Sequence, residues 1–347
     1  MPEPQLHRPA RLEDKLIRWR ARRARAAGFT PLVIPYTGYG STTWIRVLGR
    51  ALLNRGHLGI TGELAGARGW RSFTSVPVQQ ARVEVDAGGT THEVTSDRSG
   101  IIDVVVPVEL EPGWQEIGLR VEGGETSMAQ VFVVDPATRF GLVSDIDDTV
   151  MVTALPRPML AAWHTFVVNE HARSTTPGMP VLYERLTDRN PGAPVIYLST
   201  GAWNVAPTLT RFLSRNLYPA GALLLTDWGP TADAWFRSGK QHKQANLERL
   251  AQEFPQIRWL LVGDDGQHDP EIYTEFCTHH PYQVRAVCIR QLTPGEAVLA
   301  GSTGRTSPGP DGTSAPWFYA PDGAGLAEQL EDTDLLENSP QQPEVES

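Results

Sequence analysis

Phe140-Gly-Leu-Val-Ser-Asp145-Ile-Asp147-Asp148-Thr149 is the stretch on which the reading of this sequence turns. Its first half is a short apolar run of the kind buried on both faces of a parallel sheet. Its second half sets three carboxylates within four residues at the end of that run. Carboxylates held together at a buried strand end are costly unless positive charge lies among them. A hard divalent cation with oxygen ligands supplies that charge, and Mg²⁺ is the expected choice where the substrate is a phosphate. A second apolar run, Trp259-Leu-Leu-Val-Gly263, leads into Asp264-Asp265, with Asp269 shortly after. If the two strands are neighbours, both acidic groups meet at one edge of the sheet.

Working outward, Pro194–Leu198, Ala222–Leu225 and Val284–Ile289 repeat the buried-strand pattern, and helical patterns at Ala206–Asn216 and His242–Glu253 lie between them. Strands alternating with helices predict βαβ units and an α/β domain with a Rossmann-like, doubly wound parallel sheet. Ligands bind such sheets at the carboxyl ends of the strands. Ser199-Thr200-Gly201 places hydroxyls and a glycine at a third strand end. Lys243 stands at the start of a helix, where ammonium and helix dipole both favour an anion. Lys240, three residues earlier, is the competing lysine, and Lys243 is preferred.

The order DxDxT, then a strand ending in Ser or Thr, then Lys, then GDxxxxD resembles the four-motif order of the haloacid dehalogenase-like phosphatases. More narrowly, residues 140–290 resemble the catalytic domain of the actin-patch-associated phosphatidate phosphatases and their bacterial relatives. The matching stretches are Ser144–Thr149, Tyr197–Ser199 with Trp203, His242-Lys243, and Val262–Asp264 through Asp269–Tyr273. Tyr36–Gly40 and Val47–Arg50 also resemble the β-rich region preceding that domain. The resemblance implies Asp145 as nucleophile and Asp147 as general acid and base. It implies Mg²⁺ held by Asp145, the Asp147 carbonyl and Asp264, with Asp269 in or just behind the ligand set. Ser199 and Lys243 would bind phosphoryl oxygens. Where the family has Gly-Asp-Ser-Gly this chain has Gly263-Asp264-Asp265-Gly266, which leaves the metal duties of Asp264 and Asp265 undivided.

Before this domain, Pro31–Pro35, Trp44–Leu48, Ala81–Val85, Thr91–Thr95, Ile101–Val106 and Glu116–Val121 read as short strands broken by turn residues. That pattern predicts a β-sandwich. Gly38-Tyr-Gly-Ser41 matches no complete phosphate-binding fingerprint and reads as a turn. The expected organisation is a basic N-terminal helix over 1–30, a β-domain over 31–136, the phosphatase domain over 138–300, and a Gly/Pro-rich then acidic tail over 301–347. A short acidic helix is expected within the tail, near Leu326–Leu336.

The net charge of −9 is unevenly spread. Residues 1–27 carry eight basic residues against three acids, and residues 322–347 carry eight acids and no Lys or Arg. The body therefore lacks the basic surface that a nucleic-acid partner needs. Leu12, Leu16 and Trp19 line one face of the basic N-terminal helix, which suits either packing on the protein or lying on an anionic membrane surface. No run approaches a membrane span and the first 30 residues lack a secretory apolar core, so the expected location is cytoplasmic, with peripheral contact at the inner membrane face.

Cys277 and Cys288 are expected as buried thiols, and Cys277-Thr-His-His280 lacks the further paired ligands of a zinc site. Trp163, Trp203, Trp228 and Trp235 could line an entrance for an apolar group, though core positions are the commoner fate of tryptophan. The short intervals between motifs leave room for small flaps only, which suits a bulky substrate such as a phospholipid monoester, phosphatidate above all. A phosphatase for soluble phosphate esters or phosphoproteins is the second reading. A non-catalytic phospholipid-binding module is the third, and the presence of Asp145 argues against it.

Overall fold

The computed structural model describes residues 19–54, 76–152, 174–226, 232–300 and 315–336, the side chains of 232–238 and 298–300 excepted. The chain divides into two compact units, Met1–Pro136 with Asn204–Thr208, and Ala137–Trp203 with Leu209–Ser347.

In the first unit, residues 19–26 form helix α1. Eight strands follow: β1 (Thr30–Ser41), β2 (Trp44–Asn54), β3 (Val76–Pro77), β4 (Arg82–Ala87), β5 (Thr90–Thr95), β6 (Ile101–Pro107), β7 (Gly113–Val121) and β8 (Thr126–Val134). They bond into one mixed sheet of order β3-β2-β1-β8-β7-β4-β5, with β6 also on β2. β1 and β8 run parallel, and the other pairs run antiparallel. β-Branched residues at alternate positions, among them Val83 and Val85 in β4 and Val131 and Val133 in β8, turn inward to a shared apolar core. The β4–β5 hairpin closes on Gly88 and Gly89 at φ 56° and 76°, both in the left-handed region that a two-residue type I′ turn demands.

Two departures from expectation lie here. Gly38–Ser41 is not a turn but the end of β1, paired with β2. A Cβ at Gly38 would stand 2.5 Å from the Arg46 carbonyl oxygen, and one at Gly40 would stand 2.2 Å from that of Trp44. These glycines serve close strand approach rather than chain reversal. Strand β8 was not foreseen: Met128 and Phe132 face out between inward Ala129, Val131 and Val133, so apolar residues on both faces hide the alternation.

The second unit carries β9 (Phe140–Asp145), β10 (Val195–Ala202), β11 (Ala222–Thr226), β12 (Arg258–Asp264), β13 (Val284–Arg290) and β14 (Trp317–Ala320). Their order is β11-β10-β9-β12-β13-β14, and every pair is parallel. Helices α2 (Met179–Arg189), α3 (Ala206–Arg215), α4 (Ala232–Glu253), α5 (Asp269–His279), α6 (Pro294–Ala300) and α7 (Gly323–Glu331) connect or follow these strands. All six residues of β9 and all five of β11 are buried, as the continuous apolar runs require. β12 lies directly beside β9, with Val262 opposite Ser144, and Leu198 of β10 lies opposite Asp145 on the other side. The segment expected as a tail contributes β14 and α7 to this unit, so the sheet continues beyond residue 300. No described helix is long and apolar enough to cross a membrane.

Candidate active site

Asp145 is the last residue of β9, and the chain then folds back tightly. The Val150 and Met151 amides donate to the Ile146 carbonyl at 3.0 and 3.1 Å, and the Asp148 amide donates to the Met151 carbonyl at 2.8 Å. The turn needs a left-handed residue, which Asp148 supplies at φ 61°. Aspartate tolerates that region better than most side chains.

Two groups of functional side chains result. Lys243 projects from the middle of α4 and not from a helix start as expected, because α4 already begins at Ala232, so the helix dipole adds nothing there. Its Nζ lies 2.7 Å from Asp145 Oδ1 and 2.5 Å from Asp269 Oδ1. Asp269 opens α5, and its Oδ2 accepts from the Asp264 amide at 3.3 Å. Asp264 ends β12, and its Oδ1 accepts from the Gly266 amide at 2.7 Å. Asp145, Asp264 and Asp269 each offer an oxygen within 4.8 Å of the others, and all three are buried. The second group is Asp147 and Ser199: the Ser199 hydroxyl donates to Asp147 Oδ2 at 2.9 Å and accepts from the Gly201 amide at 3.0 Å. In the first group, Gly263 permits the close approach of Asp269 to the end of β12, because a Cβ there would stand 2.6 Å from Asp269 Oδ2.

The electrostatics follow from burial. Loss of solvent raises the Asp145 carboxyl well above its usual range; Lys243 opposes this, while Asp269 and Asp147 add to it. Asp264 is raised by burial first, then by Asp269 and Asp145. Burial disfavours the Lys243 ammonium, yet Asp145, Asp269 and Asp264 outweigh that cost and raise its pKa. One ammonium thus faces three carboxylates and leaves the cluster short of positive charge. Asp145 Oδ2 and Asp264 Oδ2 are moreover buried without any hydrogen-bond partner. Orphaned carboxylate oxygens converging with a third carboxylate are the donor set of a hard divalent cation, so these residues fit Mg²⁺.

Six residues singled out in the sequence, Asp145, Asp147, Ser199, Lys243, Asp264 and Asp269, thus lie buried at the carboxyl ends of adjacent strands or on the helices beside them. Two alternates fall elsewhere. Lys240 pairs with Glu271 at 2.6 Å near the surface. Asp265 Oδ1 accepts from the Leu292 amide at 2.8 Å, so it braces the segment after β13. Cys277 and Cys288 are buried free thiols. His280 bonds Glu248 at 2.6 Å, and the Cys277–His280 stretch joins no candidate metal group among the described residues. Trp203 is buried, whereas Trp163, Trp228 and the side chain of Trp235 lie outside the described residues.

One residue beside the site escaped the sequence reading. Arg290, at the end of β13, is 3% exposed. Its Nη1 donates to the Asp148 carbonyl at 2.7 Å, its Nη2 to Glu296 Oε1 at 2.7 Å, and its Nε to the Pro321 carbonyl at 3.2 Å. The guanidinium therefore ties the turn that carries Asp147 to three later parts of the chain. An arginine beside Gln291 at a strand end gives no sign of burial in sequence, and its partners are remote along the chain.

Residues 140–291 match the family described as the phosphatidate phosphatase APP1 catalytic domain. The chain is 25% identical over 247 residues to phosphatidate phosphatase APP1 of Saccharomyces cerevisiae, a match covering 67% of this chain and 42% of that protein. It is 24% identical over 166 residues to an uncharacterized protein of Schizosaccharomyces pombe, covering 48% of this chain and 27% of the relative. The chain thus spans less than half the length of these curated relatives. Among solved structures, a carbohydrate acetylesterase from Xanthomonas citri aligns over 78% of this chain and 73% of its own, at 11% identity and a TM-score of 0.28.

Proposed function

Because residues 140–291 belong to the phosphatidate phosphatase APP1 catalytic-domain family, we propose that this chain is a phosphatase that hydrolyses phosphatidate to diacylglycerol and inorganic phosphate. The observation that carries the chemistry is the buried Asp145–Lys243–Asp269–Asp264 cluster, with two carboxylate oxygens left unpaired at the ends of adjacent parallel strands. A haloacid dehalogenase-type, Rossmann-like second unit goes with this proposal, as does a sandwich-like first unit and a cytoplasmic enzyme at the inner membrane face.

In the proposed reaction an Asp145 carboxylate oxygen attacks phosphorus, and the bond from phosphorus to the glycerol oxygen breaks. The Asp147 carboxylic acid protonates that leaving oxygen, and diacylglycerol departs. Asp147, now ionised, takes a proton from water as its oxygen attacks the aspartyl-phosphate, which releases phosphate and restores Asp145. The Ser199 hydroxyl, which donates to Asp147 here, orients that carboxyl and lies ready for a phosphoryl oxygen. Lys243 holds Asp145 in place and offsets negative charge as the phosphoryl group transfers. Mg²⁺ bound by Asp145, the Asp147 carbonyl and Asp264, with Asp269 beside them, would neutralise phosphoryl charge.

The test is phosphate release from phosphatidate in mixed micelles, with and without Mg²⁺, for wild type, Asp145→Asn and Asp147→Asn. Turnover is expected to require Mg²⁺, to vanish in Asp145→Asn, and to fall by roughly 10²–10⁴-fold in Asp147→Asn. Full turnover by Asp145→Asn would overturn the nucleophile assignment. Wild-type turnover of soluble phosphate esters but not of phosphatidate would overturn the substrate.

A further inference from the structure

Helix α1 ends in a Schellman motif: Gly28, at φ 80°, follows the helix, its amide donates to the Arg25 carbonyl at 3.0 Å, and the Phe29 amide donates to the Ala24 carbonyl at 3.0 Å. The cap fixes how the helix is rotated. Ala24 is buried in the core of the first unit, and Ala21 and Phe29 pack against that core. With the alanine face turned inward, Arg20, Arg22, Arg23 and Arg25 are held outward and exposed. Arg23 lies over the ring of Trp19, 5.6 Å from its centroid, and Trp19 is itself 56% exposed.

Four arginines in six positions repel one another, and among the described residues none of them has an ion-pair partner. Elsewhere in the chain Arg46, Arg120, Arg185, Arg285 and Arg290 all face carboxylates. No other described stretch sets four arginines within six positions, so the positive charge is concentrated on α1, on a chain whose net charge is −9. The partner that suits it is a dense anionic surface with an apolar layer within reach of an indole. That is the interfacial zone of a phospholipid bilayer, where arginines meet phosphates and tryptophan sits at headgroup depth.

We infer that the outward face of α1, formed by Trp19, Arg20, Arg22, Arg23 and Arg25, docks the protein on anionic phospholipid membranes. The inference rests on residues far in sequence from the catalytic aspartates, but it deepens the proposed function by supplying the surface where a lipid phosphate monoester is found. Each arginine near such a surface strengthens partition by roughly five-fold, so four together contribute on the order of 10²–10³-fold. The attraction fades within a Debye length, about 8 Å at physiological salt.

The test is co-sedimentation of the full chain with phosphatidylcholine vesicles, with and without phosphatidylserine. Phosphatidylserine is anionic but offers no phosphate monoester to the active site. Binding is expected only when phosphatidylserine is present, and high salt should abolish it. Changing Arg20, Arg22, Arg23 and Arg25 together to Gln should weaken partition by about 10²-fold or more with the melting temperature unchanged, whereas the same four changed to Lys should retain it. Glutamine and wild-type proteins partitioning within about two-fold of each other would overturn the docking surface. So would equal binding to neutral vesicles, or loss of binding in the lysine variant as well. A protein that binds these vesicles and cleaves no phosphatidate would refute the proposed reaction and leave the docking surface standing.

Discussion

At the scale of single residues, the site depends on what holds two aspartates two positions apart in different surroundings. Asp145 faces Lys243, while Asp147 faces Ser199. The residues between and after them form the turn that separates the two carboxyls, and Asp148 is its left-handed member. Arg290 caps the Asp148 carbonyl from a strand two places away in the sheet. Replacing Arg290 with Met removes three hydrogen bonds and leaves Glu296 without its arginine. Loss of a bond to a buried carbonyl costs about 1–3 kcal/mol, and the freed turn can then rotate Asp147 away from Ser199. Arg290→Met is therefore expected to lower kcat by about 10-fold or more, with KM for phosphatidate little changed. Lysine should not rescue it, because one ammonium cannot serve three partners in the planar geometry of a guanidinium. Steady-state kinetics on both variants decide the point: a lowered melting temperature with kcat intact would make Arg290 a brace of the fold alone.

At the scale of elements, the parallel sheet positions the site by packing β12 tightly on β9. Gly141 lies under the Trp259 ring, and a Cβ there would approach the ring carbons at 2.4 and 2.6 Å. Its φ is not positive, so the need for glycine is one of space rather than backbone freedom. Gly141→Ala should destabilise the protein by about 1–3 kcal/mol, since a buried indole with no room to move must shift. Trp259→Phe, which removes the ring carbons in the way, should recover part of that loss in the double variant. Additive losses in urea denaturation would refute the steric account. The contact also shows what sequence can and cannot disclose. The runs ending in Asp145, Ser199 and Asp264 were legible because each is continuously apolar and stops at a polar group. The register that stacks Gly141 on Trp259 was not, because it is set between residues more than a hundred positions apart. β14 was hidden for a related reason: four residues are too few for a periodic signal, and they pair only with distant β13. Arg290 was lost with it, since one of its acceptors is the Pro321 carbonyl just beyond β14.

At the scale of the whole molecule, the acidic cluster links global stability to pH and, on the proposal that it holds a divalent cation, to metal as well. Asp145 and Asp264 are raised well above their usual range, chiefly by burial, so the folded protein keeps protons that the unfolded chain releases as pH climbs past about 4. Wherever the folded state binds more protons than the unfolded one, stability falls with rising pH. These two groups therefore weaken the metal-free protein progressively above the unfolded carboxylate range. Lys243 works in the opposite sense: its raised pKa contributes stability that persists through neutral pH and is lost only in strong alkali. A divalent cation on the same carboxylates would take the place of the retained protons, and its binding must release them. Its apparent affinity, and with it the stabilisation by mass action, should then grow as pH rises. The expected result is a Mg²⁺-induced increase in melting temperature that is small near pH 5 and larger near pH 8. Calorimetry across that range, in Mg²⁺ and in chelator, measures it, with Asp264→Asn as the control that should flatten the difference. A Mg²⁺ increment of equal size at both ends of the range would mean that the buried carboxylates do not exchange protons for metal, and the charge deficit around Lys243 would need another counterion.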